Sequence, residues 1–257
     1  MFIGNKDAQL YTVDFGAGAH TLLAHGGWTG SWELWAEPFM HLGKTWRTVA
    51  YDHRGAGASI APVESISIES MVDDLIAVMD KLEIERCVLA AESAGGLVAV
   101  TAALLRPERF DGLILVDALL HKEKKESDML FIRGLRSNFE QTIGQFVDAC
   151  VPQEEPSSVE IRLWGRKILQ RATPAASVKL LECTFGVDLR PQLSQLRLPT
   201  LILHGDRDII VPPGDAEFAA SQIPNSRLHI VQGAGHVPTM TRPREVVTEI
   251  ERTFSGR

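Results

Sequence analysis

Three side chains in this sequence could together activate a hydroxyl group for attack on a carbonyl carbon. Ser93 lies in the segment Ala91–Gly96, which follows a short apolar run and precedes an alanine- and leucine-rich stretch. A serine hydroxyl is a weak nucleophile until a base accepts its proton. His236, in a glycine-containing loop, could be that base, and Asp208 could hold its imidazole in one tautomer. The set predicts acyl transfer through a covalent intermediate on Ser93.

The segment around Ser93 is typical of a sharp strand-to-helix turn that raises a nucleophile above a sheet. Such a turn strains the backbone and accepts only small neighbours, here Ala91, Gly95 and Gly96. Ala91 departs from the more common glycine at its position. The competing interpretation, in which Ser93 only caps the following helix, leaves the strand before it and its two partners unexplained.

Two carboxylates, Asp206 and Asp208, follow the apolar run that ends at residue 203. We predict that Asp208 orients His236, because it lies a few positions past the strand end and can reach the loop after the last strand. Asp206 is predicted to organise the turn or to pair with Arg207. The chain order Ser93, Asp208, His236 differs from the orders found in proteases of the chymotrypsin and subtilisin types.

Acyl transfer also needs donors aimed at the oxygen on which negative charge develops. The backbone N–H of Ala94, directly after Ser93, is the first predicted donor. The second is predicted at Gly27, with Trp28 as the alternative, because the sequence His-Gly-Gly-Trp follows an early strand and its glycines permit close approach to a substrate. A plain glycine turn is the alternative interpretation of this segment.

Short apolar runs alternate with longer helical stretches, which predicts an α/β fold with a mostly parallel, doubly wound sheet. An antiparallel edge strand is predicted over residues 9–15. The other predicted strands cover residues 21–24, 47–51, 87–90, 113–116, 200–203 and 228–231. These runs are almost continuously apolar, so we expect both faces of the sheet to be covered.

The strand rhythm stops between residues 121 and 190, and prolines divide this stretch into helices. We therefore predict a core formed by residues 1–120 and 191–257, with a helical cap over residues 121–190. The predicted cap helices cover residues 128–138, 140–151, 158–171 and 175–185.

Composition excludes several partner classes. The formal net charge of −7 offers no basic surface for nucleic acid, and no apolar run is long enough to predict a membrane span. No secretory signal pattern is found at the N-terminus, and three widely spaced cysteines favour reduced thiols. We predict a cytoplasmic monomer or homodimer that acts on a small-molecule substrate. No zinc-ligand spacing or nucleotide-binding loop is found, so no metal and no cofactor are predicted.

The motifs as a set resemble the α/β-hydrolase superfamily. They are His25–Gly27, Asp52–Ser59, Glu92–Gly95, His204–Asp208 and Gly235–His236, and they span nearly the whole chain. The resemblance implies a helical cap after the sixth strand, and it implies a structural role for Asp52–Ser59, which leaves Arg54 outside the site. The cap is similar to the lid of the small esterases, enol-lactonases and strigolactone-type receptors.

The expected substrate is a small or medium, largely apolar carboxylic ester, with Trp28 and Trp164 among the residues predicted to contact it. The same three side chains also serve lactonases, carbon–carbon bond hydrolases and perhydrolases. A hydrolase-like receptor that turns over slowly is the alternative outside enzymes. Repeated turnover of an ester would separate an enzyme from such a receptor.

Overall fold

Eight strands form one sheet in the computed structural model, which describes residues 1–254. Their order across the sheet is β1-β2-β4-β3-β5-β6-β7-β8, with parallel pairing from β4 through β8 and antiparallel pairing of β1 with β2 and of β2 with β4. The strands are β1 (Phe2–Asn5), β2 (Ala8–Phe15), β3 (His20–His25), β4 (Trp46–Tyr51), β5 (Cys87–Glu92), β6 (Phe110–Val116), β7 (Thr200–Gly205) and β8 (Ser226–Val231).

The predicted fold class is confirmed. The central strands β3, β5, β6 and β7 are almost wholly buried, as their apolar runs predicted. Strand β1 was not predicted, because it has four residues, two of them exposed, and contains Gly4 and Asn5 in place of an apolar run. It forms through its pairing with β2, in the register Phe2 to Tyr11.

Ten α-helices accompany the sheet within the described residues, and the contacts α2–α3 and α1–α10 pair helices on the core. They are α1 (Ala36–Leu42), α2 (Ile68–Lys81), α3 (Gly95–Leu105), α4 (Glu126–Ser137), α5 (Phe139–Cys150), α6 (Ser158–Leu169), α7 (Pro174–Glu182), α8 (Pro213–Gln222), α9 (Pro238–Thr241) and α10 (Pro243–Phe254). Over the part of the chain that is described, no helix has the length and apolar character needed to cross a bilayer.

Helices α4 to α7 form a cap between β6 and β7, so the cap follows the sixth strand. Helix α4 packs against α5 and α7, and α5 packs against α6. The two ends of the insertion meet in an antiparallel bridge between His121 and Asp188. This bridge places the chain's exit from β6 beside its return toward β7, which lets the cap sit over the sheet as one inserted unit.

Candidate active site

Ser93 lies in a tight turn between β5 and α3, and its backbone φ is +52°, in the left-handed region. The turn is possible because Gly95 and Gly96, which follow it, have no side chains. A Cβ at Gly95 would lie 2.4 Å from the carbonyl oxygen of Gly26, and a Cβ at Gly96 would lie 2.8 Å from the Cβ of Ala118. The turn is therefore locked between two other loops, which fixes the direction of the Ser93 hydroxyl.

The predicted Ser93, His236 and Asp208 side chains form one continuous hydrogen-bond chain. His236 Nδ1 lies 2.7 Å from Asp208 Oδ2, and His236 Nε2 lies 2.8 Å from Ser93 Oγ. An ionised carboxylate can only accept, so Nδ1 carries the proton and Nε2 is left to accept from the serine hydroxyl. His236 and Asp208 are buried. The arrangement places His236 Nε2 where it can take the Ser93 proton.

Asp208 is held in its ionised form by its surroundings. Burial opposes ionisation, but His236, His204 and the backbone N–H of Val211 together keep the pKa of this carboxyl below its usual range. Asp206 does not touch His236, and it accepts a hydrogen bond from the backbone N–H of Gly233 at 2.6 Å. Asp208 therefore contacts His236, whereas Asp206 stabilises the turn at Gly233.

Two backbone N–H groups lie beside Ser93. Ala94 is the next residue in the chain, and a Cβ built on Gly27 would lie 3.0 Å from the Cβ of Ser93. Within residues 1–254 neither the Gly27 nor the Ala94 N–H donates a hydrogen bond. The carbonyl of Gly27 is turned away by two contacts, the N–H of Gly30 at 3.1 Å and His53 Nε2 at 3.0 Å. Both N–H groups are therefore available to an external acceptor.

Glu92, directly before the serine, is a buried acid that the sequence reasoning did not single out. Its Oε1 accepts a hydrogen bond from the Thr239 hydroxyl at 2.9 Å. Burial, reinforced by the charge of Asp208, raises the pKa of the Glu92 carboxyl to about 8. At neutral pH this side chain is an uncharged acid in the wall of the site, so it adds no negative charge beside Ser93.

Asp117, at the end of β6, is a second buried carboxyl that sequence reasoning missed. Its polar atoms lie within 4.8 Å of those of Asp208 and His236, and its Oδ1 accepts from the backbone N–H of Gly205 at 2.9 Å. Burial and the nearby Asp208 raise the pKa of Asp117 well above its usual range. Asp208 is thus the charged member of the pair. Asp117 lies directly after the apolar strand β6, and this position is the signal that could have identified it from the sequence.

The cap holds the loop that carries His236. The His236 backbone N–H donates to the carbonyl of Cys150 at 2.7 Å, and the Gly235 N–H donates to Glu155 Oε1 at 2.8 Å. The other oxygen of the buried Glu155 carboxylate accepts from Arg242 at 2.9 Å. A Cβ at Gly235 would lie 2.4 Å from the Cys150 oxygen, so only glycine permits this contact.

Ser93 faces a cavity beneath α5 and α6, which we call the inner cavity. It holds about 520 Å³ of space, part of it open to solvent, and Gly27, Glu92 and His236 lie in its wall with the serine. Its apolar lining consists of Trp28, Leu34, Phe146, Val147, Cys150, Val151, Ile161, Leu169, Val237 and Met240. An apolar group of a substrate would be removed from water there.

A second space, which we call the outer cavity, opens on another side of Ser93 and holds about 910 Å³, including open solvent. Trp28, Ser93 and Phe146 line both cavities. The outer cavity has a different set of polar side chains in its wall, which includes a lysine ammonium, namely Lys122, Ser127, Asp128 and Thr184. The reactive hydroxyl therefore sits at the junction of two chemically different spaces.

Comparison with known proteins identifies the family to which the fold belongs. A family model described as the alpha/beta hydrolase fold matches residues 20–243. The chain belongs to the α/β-hydrolase fold family. The match covers β3 through the start of α10, and so includes the cap and all three residues of the hydrogen-bond chain.

Relatives of this α/β hydrolase include several named esterases. A pimeloyl-acyl-carrier-protein methyl ester esterase of Edwardsiella ictaluri is 30% identical, over 97% of this chain and 99% of that protein. The strigolactone esterase of Arabidopsis thaliana is 27% identical, over 90% of this chain and 91% of that protein. The crystal structure of an enol-lactonase from Burkholderia xenovorans matches with a TM-score of 0.92, 20% identity and coverage of 99% and 100%, which shows a shared fold.

The two tryptophans predicted to contact substrate lie in different places in this hydrolase. Trp28 lines both cavities, and its Nε1 donates to the carbonyl of Ser177 in α7 at 2.8 Å. Trp164 is 42% exposed and lines a groove outside the cap, so it is not brought to Ser93. In α6 the inner cavity is faced by Ile161, Gly165 and Leu169, and Trp164 points about 100° away from that stripe.

Proposed function

We propose that this protein hydrolyses a carboxylic ester through an acyl-enzyme on Ser93. One observation carries the proposal, the hydrogen-bond chain from Asp208 through His236 to Ser93 Oγ. The adjacent N–H groups of Gly27 and Ala94 support it, because acyl transfer needs donors for a developing oxyanion. The esterase names of its relatives support the same class of reaction.

In the acylation step, Ser93 Oγ attacks the ester carbonyl carbon while His236 Nε2 takes the hydroxyl proton. The carbonyl oxygen becomes negative and accepts from the N–H groups of Gly27 and Ala94. The charge on Asp208 stabilises the imidazolium that forms. The intermediate then loses the alcohol, whose oxygen receives the proton from Nε2, and the acyl group stays on Ser93.

In the deacylation step, a water molecule takes the place of the departed alcohol beside His236. The imidazole removes a proton from this water, which attacks the acyl carbon, and the same two N–H groups stabilise the second oxyanion. The acid is released when His236 returns the proton to Ser93 Oγ. A neutral Glu92 favours both steps, since a charged carboxylate in the cavity wall would oppose the developing oxyanion.

Substrates of small or medium size and largely apolar character suit the inner cavity, because small-molecule sites are lined mostly by apolar side chains with a few polar groups. Apolar side chains provide nearly all of its wall, so an alkyl or aromatic group gains by leaving water. This lining favours simple esters over sugars or other strongly polar substrates.

Steady-state and burst kinetics with 4-nitrophenyl esters test the proposal. We expect many turnovers per protein molecule, and we expect a fluorophosphonate to add to Ser93 by mass spectrometry. Ser93→Ala should no longer react with the fluorophosphonate. Its hydrolysis rate should fall to a residual value about 10³–10⁴ times the rate in water, which the N–H donors and substrate binding sustain. A single slow turnover by the native chain would instead indicate a receptor, and a folded Ser93→Ala with near-native activity would refute the proposal.

A further inference from the structure

The wall between the two cavities is rigid. The Trp28 indole is fixed by its hydrogen bond to Ser177, and its ring centroid lies 5.2 Å from those of both Phe131 and Phe146. Aromatic rings at this spacing attract each other beyond their area of contact. The packed rings separate the two cavities beside Ser93, so the two halves of a bound ester can each enter a different cavity.

The position of His236 indicates which cavity holds the alcohol half of the ester and which holds the acyl half. The bond that breaks joins the acyl carbon to the alcohol oxygen, and that oxygen must lie near His236 Nε2 to receive the proton. His236 lines the inner cavity and is absent from the wall of the outer cavity. The alcohol half thus belongs in the inner cavity, and the acyl half, bonded to Ser93, extends into the outer cavity.

The outer cavity also carries a polar group that suits the far end of an acyl chain. Lys122 Nζ donates to Asp128 Oδ1 at 2.7 Å, and the two side chains are only 22% and 11% exposed. Asp128 Oδ2 already accepts from the backbone N–H of Lys125 at 2.8 Å. A lysine ammonium has three donors, so Lys122 keeps N–H groups for an acceptor on the substrate.

We propose that the substrate is an ester of an apolar alcohol with an acyl group that ends in a hydrogen-bond acceptor, the alcohol lying in the inner cavity and the acyl end lying at Lys122. This inference rests on the proposed function. In the reaction the Ser93 Oγ–carbon bond forms, the carbon–alkoxy bond breaks, and the serine proton passes through His236 to the departing alcohol.

Two isomeric esters test the assignment of the two halves with the native chain. Octyl acetate carries its apolar chain on the alcohol, and ethyl octanoate carries a similar chain on the acyl group. We expect kcat/KM for octyl acetate to be higher by roughly tenfold or more, because only its chain reaches the inner cavity. Equal values or a preference for ethyl octanoate would overturn the assignment.

A variant in each cavity extends the test. Gly165→Leu, which adds a side chain beside Val147 in the inner cavity, should lower the octyl acetate to ethyl acetate ratio of kcat/KM by about tenfold. Lys122→Met should lower the ratio of ethyl 6-hydroxyhexanoate to ethyl hexanoate, while the exposed Lys124→Met should not. Unchanged ratios in both cavity variants would overturn the proposal.

Failure of the proposed function has a different signature. A native chain that turns over neither isomer nor 4-nitrophenyl acetate, and whose Ser93 does not react with a fluorophosphonate, is not an ester hydrolase, and the substrate assignment then falls with the function. A native chain that reacts and turns over but shows the reversed preference refutes the substrate assignment alone.

Discussion

The carboxylate of Glu155, in the cap, accepts a hydrogen bond at 2.8 Å from the backbone N–H of Gly235, the residue before His236. The segment between α5 and α6 therefore acts on the base directly. Val151, in the same segment, lines the inner cavity. The same segment thus contacts both the inner cavity and the loop that carries His236.

Glu155→Ala should lower kcat by up to about 10²-fold with a smaller change in KM, because the loop carrying His236 loses an anchor and the base moves by a fraction of an ångström. Glu155→Gln keeps an oxygen for the Gly235 N–H and should recover most of the rate. Glu154→Ala is the matched control, since the Glu154 side chain is 73% exposed and its ion pair with Arg207 is long, at 3.8 Å. Equal rates for the Ala and Gln variants at position 155 would rule out the anchoring role.

Asp208→Asn should reduce kcat by a factor on the order of 10⁴, as the same change does in serine proteases, because an amide favours the wrong tautomer of His236. Asp206→Asn retains an oxygen acceptor for the Gly233 N–H and should change kcat little. The comparison requires kcat and the thermal midpoint of both variants. A larger rate loss at Asp206 would move the orienting role there.

The raised pKa of the Glu92 carboxyl predicts a loss of activity in alkaline solution. As pH rises past about 8, the Glu92 carboxyl ionises beside Ser93, and its charge opposes the oxyanion. We expect kcat/KM for the native chain to fall above about pH 8, and we expect Glu92→Gln to remove that fall while keeping the acceptor for Thr239. A native profile that stays level to pH 10 would contradict this role.

The same carboxyl predicts how stability depends on pH. Its folded pKa of about 8 exceeds its ordinary value of 4.5, so between these values the folded state binds more protons than the unfolded state. The free energy of unfolding should therefore fall, relative to Glu92→Gln, by up to about 1.4 kcal/mol per pH unit across this window. Urea unfolding of both proteins at pH 5 and pH 8 measures how much more the free energy of unfolding of the native chain falls than that of Glu92→Gln. This excess should vanish if Glu92 is charged in the folded protein.

Gly95→Ala should reduce both stability and activity. The new Cβ would lie 2.4 Å from the Gly26 carbonyl oxygen, so the loop that carries the Gly27 N–H must shift, at a cost of about 1–3 kcal/mol. Gly214→Ala, in α8, is the control, because a Cβ there meets nothing within 4 Å. Thermal midpoints and kcat of the two variants check the expectation, and a Gly95→Ala protein as stable and active as the control would contradict it.

Local sequence was enough to predict that Ser93, Asp208 and His236 lie close together, because each occupies a turn or loop after an apolar strand and such loops gather at one edge of a parallel sheet. Glu155 could not be found that way. It lies 80 residues from Gly235 in the chain, and as one of two adjacent glutamates between prolines it resembles a solvated loop residue. Its burial depends on how the cap docks, which a local pattern does not encode.

Trp164 illustrates a different limit of sequence reasoning. A large aromatic residue in a cap helix suggests a ligand contact, yet the smallest residue of that helix, Gly165, faces the inner cavity. A glycine leaves space beside a helix but carries no apolar signal of its own, so Gly165 could not be recognised as a lining residue from the sequence.

The order of the strands along the chain also determines the order in which parts of the site form while the chain is being synthesised. Ser93 lies between β5 and β6. Strand β5 pairs with both β3 and β6, and all three strands leave the ribosome before the cap. N-terminal parts of a chain generally fold first during synthesis. His236 follows 143 residues later, after the cap, β7 and β8. Under the proposed mechanism, a nascent chain that stalls within the cap carries Ser93 without its base, and we expect it to be inert toward esters until translation reaches the last loop.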